Sequence, residues 1–102
     1  VRELLRLAVQ VCLDDRPLHI DVALVFLAAP REEWCLRFRV GNAGDALLTI
    51  PDAEAFGLAL GSAGELLESR KPAAALEMRT TAGNVLECVR MAKHDTSGGS
   101  VH

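Results

Sequence analysis

The sequence predicts an α+β domain: an antiparallel sheet of about five strands with two helices packed on one face, in the order α-β-β-β-α-β-β. Segments that alternate apolar and polar residues predict the strands, and stretches with a helical apolar period predict the helices. Short links between them favour neighbouring antiparallel strands. A chain of 102 residues has room for one such domain. It is expected over residues 1–93, with 94–102, "HDTSGGSVH", as a polar, glycine-rich tail expected to be disordered.

The first helix is expected in "VRELLRLAVQVCLDD", residues 1–15. Plotted as a helix, its apolar arc spans roughly 240°, from Leu7 through Leu4 and Leu5 to Val9 and Leu13, where roughly 100° suffices to lie on one sheet face. That width calls for a second apolar neighbour, another helix or another subunit. "PLHIDVALVFLAA" (17–29) sets Leu18, Ile20, Val22, Leu24 and Phe26 against His19, Asp21, Ala23, Val25 and Leu27, as a strand does. "PREE" (30–33) turns the chain into "WCLRFRV" (34–40), with Trp34, Leu36, Phe38 and Val40 inward and Cys35, Arg37 and Arg39 outward. "GNAGD" (41–45) then closes a hairpin onto "ALLTI" (46–50).

A second helix is expected from Pro51 to about Arg70, with Asp52 and Glu54 complementing the dipole in its first turn. "KPAA" (71–74) ends it, since proline cannot continue a helix. "ALEMRTT" and "VLECVRMAK" flank "AGN" (82–84), which reads as a hairpin turn between two more strands. The alternation is poorer in the last of these, where Val85, Val89 and Met91 share a face with Glu87.

Within the second helix Gly57, Gly61 and Gly64 fall together on one shoulder of the apolar arc. Each costs about 1 kcal/mol relative to alanine, a loss that close approach of a neighbouring backbone can offset. The wide-faced first helix, from the same chain or a partner, is the expected neighbour. Leu5, Val9, Leu13, Gly57, Gly61 and Gly64 are therefore the candidate interface residues.

Composition narrows the function. A net charge of −3, few aromatic residues and no tyrosine leave little to attract phosphate backbones or stack on bases. A basic protein partner fits the sign better. The three cysteines, Cys12, Cys35 and Cys88, form no metal-ligand spacing with each other or with the histidines. They are expected to be reduced thiols in a cytoplasmic protein, and neither cofactor nor metal is expected. No apolar run approaches the roughly 18 residues of a membrane span, so no membrane partner is expected.

No motif spells out a reaction. His94 and Asp95 lack a nucleophile at any defined spacing, and His19 and Asp21 read as a solvated pair on one strand face. "GSAG" (61–64) lacks the glycine two residues before Ser62 that a nucleophile elbow needs. "GNAG" (41–44) has the G-x-x-G form of some nucleic-acid clamps but lies between strands. Arg37, Arg39 and Arg79 are expected to share the sheet face away from the helices, interleaved with Asp21 and Glu77.

The leading expectation is a non-enzymatic protein-binding module, an adaptor, chaperone-like or inhibitor protein, acting as a homodimer. The predicted element order and acidic charge resemble those of small acidic, dimeric secretion chaperones that hold effector proteins, and the resemblance implies a chaperone-like role. One alternative is nucleic-acid binding through Arg37, Arg39 and Arg79; another is a small ligand-binding domain or enzyme with a pocket between helix and sheet.

Overall fold

The computed structural model describes residues 19–41 and 44–99. The expected first helix, with Leu5, Val9, Leu13 and Cys12, lies outside the described residues, as do the tip of the 41–45 loop and residues 100–102. Three strands come first: β1 (Ile20–Leu27), β2 (Glu33–Val40) and β3 (Gly44–Thr49), followed by helices α1 (Ile50–Leu67) and α2 (Pro72–Gly99). The α+β class holds. The strands form an antiparallel sheet in the order β1-β2-β3.

The registers run without a bulge from Ile20 opposite Val40 to Leu27 opposite Glu33, and from Cys35 opposite Thr49 to Val40 opposite Gly44. A period of two then fixes the faces. Ile20, Leu36, Phe38, Val40 and Leu48 enter the core on the inner face. Asp21, Ala23, Val25, Cys35, Arg37, Arg39, Asp45 and Leu47 occupy the outer face. At the β2–β3 turn Gly41 takes φ +35°, a conformation that glycine adopts without strain, and its N–H donates to the His19 carbonyl at 2.8 Å.

Helix α1 starts where the sequence marks it. Thr49 is the N-cap and donates its hydroxyl to the Asp52 carboxylate at 3.2 Å, with proline in the first turn. Its buried side, Ala53, Phe56, Gly57, Leu60, Ala63, Gly64 and Leu67, follows the helical pattern i, i+3, i+4, i+7. Phe56 meets Phe38 edge to face, ring centroids 4.6 Å apart, and so ties the helical layer to the sheet.

The two strands expected in 75–93 are a correction: these residues belong to α2, and the described elements run β-β-β-α-α. The element order that supported the chaperone resemblance is accordingly absent from this part of the chain. Ala75, Met78, Ala82, Val85, Val89 and Ala92 are buried at steps of three, four, three, four and three, which is a helical stripe. α1 ends at Leu67, short of Pro72, which instead stands in the first turn of α2, where its missing N–H has no helical partner to lose. Gly83 and Asn84, the expected turn, lie exposed on the outer side of that helix. The helical backbone continues to Gly99, through most of the stretch read as a tail.

Candidate interaction surfaces

The glycine shoulder of α1 faces α2. A Cβ on Gly64 would lie 3.0 Å from the Ala75 carbonyl oxygen and 3.1 Å from Met78 Cβ; on Gly57 it would meet Val85 Cγ1 at 3.2 Å and the Ala82 carbonyl at 3.4 Å. Those two positions are where the helices approach closely, and the second helix of the same hairpin fills the space expected for the first helix or a partner. Gly61 differs, because the nearest atom to its Cβ position is Ala82 Cβ at 3.9 Å, an ordinary contact.

The arginine constellation separates. Arg37 and Arg39 share the outer sheet face, but Arg79 sits on α2 and forms a two-point pair with Glu68 beyond the end of α1, at 2.8 and 3.3 Å. Hydrogen bonding to Arg79, then its charge, holds the Glu68 carboxyl below the usual range, and the same bonds raise the Arg79 guanidinium. On the sheet, Arg37 Nε donates to Asp45 at 3.2 Å. Arg39 lies in register between Asp21 and Asp45. His19 contacts Asp21 at 3.4 Å, with both side chains exposed, as the spacing predicted. Carboxylates therefore match the guanidiniums along this face, which weakens its appeal to a phosphate backbone.

The described thiols are poor nucleophiles. Cys35 is the third residue of β2, the central strand, and almost fully covered; burial pushes its thiol up, Glu33 adds to the shift and Arg31 opposes it. Cys88, half-buried on α2, is raised by burial and by Glu87. A reactive cysteine needs the opposite shift. Among the described residues there is no group of acidic, histidine or cysteine side chains arranged to hold a metal, and no buried side-chain nitrogen or oxygen lacks a hydrogen-bond partner. No described helix is long and apolar enough to cross a membrane.

Apolar surface is what stands out. Phe26 and Leu47 on the sheet are each 52% exposed, and Leu58, Leu66, Leu76 and Met91 on the helices are exposed further, Leu66 to 82%. Leu47 lines an open groove on the outer sheet face with Val25, Leu27, Ala46 and the Arg37–Asp45 pair. Phe26 lies on the inner face at the sheet's end, its ring edge-on to Trp34 at 5.3 Å. Alternation in the sequence gives the face of Phe26 and says nothing of how far along the strand the covering helices reach, so its exposure was not legible there. No protein-family model matches the chain, and neither a curated protein nor a solved structure matches it.

Proposed function

We propose that the chain is a non-enzymatic protein-binding module, an adaptor, chaperone-like or inhibitor protein, that works as a homodimer. The observation that carries this reading is the set of large apolar side chains left more than half exposed on both layers: Phe26, Leu47, Leu58, Leu66, Leu76 and Met91. Scattered apolar residues are ordinary on any surface, but here they include an aromatic at a strand end and a leucine in a groove, positions suited to a partner's side chains. The matched charges of the outer sheet face and the raised thiols support binding over phosphate recognition or thiol catalysis. The homodimer rests on the same apolar surplus, with Leu58 and Leu66 on the outward side of α1 as its source.

Selection of a displayed library of random peptides against the purified full chain tests the binding reading. Enrichment of apolar sequences that bind in solution is expected, and their affinity should change little with salt because apolar contact is not screened. An empty selection, or binding that collapses with salt as counterion release demands, overturns it. Sedimentation of the full chain checks the dimer separately.

A further inference from the structure

We propose that the edge of β1 that no described strand pairs receives an extended segment of a partner polypeptide, which adds a strand to the sheet beneath α2. This rests on the protein-binding reading and names the surface and the form of the partner.

The hydrogen-bond pattern of β1 defines the edge. Gly41 N–H donates to the His19 carbonyl, and these two residues continue the register in which Ile20 faces Val40. Opposed residues in an antiparallel pair alternate between exchanging hydrogen bonds and exchanging none. Asp21, Ala23, Val25 and Leu27 therefore bond to β2, and Ile20, Val22, Leu24 and Phe26 turn their N–H and C=O groups the other way, where no described strand pairs with them.

Among the described residues that edge carries none of the usual protection. Strands at sheet margins avoid mispairing by being short, by bulging, or by carrying proline or inward charge. β1 is eight residues long, is paired without interruption, and has Asp21 as its single charge and no proline or glycine. The opposite margin, β3, is six residues long, begins at Gly44 and carries Asp45.

The helical layer is wider than the sheet under it. Three strands span about 14 Å at their usual spacing, and two helices packed side by side cover about 18 Å. The surplus is about one strand's width. Helix α2 lies chiefly over β1, while α1 lies over β2 and β3, so α2 is the helix that would cover a strand added at the β1 edge.

The Lys93–Glu54 pair at 3.2 Å brings the end of α2 beside the start of α1, which leaves β3 opposite Cys35. The part of α2 bearing Cys88 and Met91 thus returns to the end of the sheet that holds Phe26 and Trp34. Val85 and Leu86 face α1 at Gly57, and helical spacing turns Cys88 and Met91 to the other flank. An added strand would place alternate side chains under that flank and against Phe26, accounting for the ring's exposure. A single extended segment fits this space. A second copy paired through the same edge would bring another α2 into the same space.

Amide exchange read residue by residue on the full chain, alone and with a peptide selected from the random library, tests the proposal. In the free chain the Val22, Leu24 and Phe26 amides should exchange at least about tenfold faster than those of Ala23 and Val25, and the bound peptide should slow them by a similar factor. N-methylating every second residue of the peptide should weaken binding at least about tenfold in one phase of the alternation and little in the other. Val22→Pro, which removes an outward N–H and no bond to β2, should lose the peptide likewise. The peptide-side methylation stands whether or not that variant folds. Slow outward amides in the dilute free chain, or protection that rises with chain concentration alone, overturn the proposal, because the edge is then already filled. A selected peptide that protects the Leu47 groove instead overturns it and leaves the binding function standing, whereas an empty selection removes both.

Discussion

The inner seam between α1 and α2 and the outer side of the same helices both contain glycine, and the two settings give it opposite meanings. In the seam, Gly64 sits where a carbonyl oxygen of the neighbouring helix approaches to 3.0 Å of a would-be Cβ. On the outer side, nothing comes within 4 Å of the corresponding point on Gly83. The intrinsic cost of each residue, about 1 kcal/mol relative to alanine, is the same. What differs is whether close packing offsets it, and only the second helix's position decides that.

The sharpest way to break this contrast is Gly64→Ala. The methyl would push against the Ala75 carbonyl, Met78 Cβ and Arg79 Cγ, and of these only the arginine end yields cheaply. Overpacking of this kind costs about 1–3 kcal/mol, which outweighs the propensity gain, so urea melts should show a net loss of about 1–2 kcal/mol. Gly61→Ala on the same shoulder is the internal control, expected to be neutral or slightly stabilising because its Cβ would make only an ordinary contact with Ala82 Cβ at 3.9 Å. Equal effects at the two positions would dissolve the distinction between close contact and mere helix weakening.

A smaller effect of opposite sign is expected at Gly83→Ala. Alanine there should raise stability by about 0.5–1 kcal/mol, through helix propensity and a stiffer unfolded chain. The substitution also sharpens the largest departure from the sequence reading. Were residues 82–84 a hairpin turn, alanine in place of the turn glycine would destabilise. The sign of the change in melting midpoint thus discriminates helix from turn in solution.

Much of the described fold is legible in the sequence because alternation and helix-start signals are local. The strands around Ile20, Phe38 and Leu48 and the start of α1 beside Pro51 all follow from spacing and capping alone. Residues 75–93 misled for a physical reason. Proline serves both to stop one helix and to open the next, and "AGN" has turn composition wherever it stands. The stripe of Ala75, Met78, Ala82, Val85, Val89 and Ala92 held the correcting signal, as did the poor alternation after Val85.

The surfaces were less legible than the elements. That Arg37 and Arg39 share a face follows from their spacing, but their neutralisation by carboxylates on other strands depends on register. Arg79 was misplaced with its element. The β1 edge became visible only once strand order was known, since a sequence does not say which strand lies at the margin.

The smallest expected effect concerns what fastens the hairpin where the glycine seam ends. Glu68 and Arg79 join the end of α1 to α2 by two hydrogen bonds, and both groups are exposed to solvent. The folded carboxyl titrates below its unfolded counterpart, so the fold binds fewer protons than the unfolded chain as pH falls through the carboxylate range. The pair's contribution is therefore fully present above the ordinary glutamate range, declines as pH drops through it, and is gone below the lowered folded value. Arg79→Met should narrow the difference from wild type between neutral pH and about pH 3, with added salt narrowing it at every pH. Exposure and screening keep the term small. A stability difference that stayed constant across that range would assign Arg79's contribution to its alkyl chain packed over Gly64, returning it to the seam.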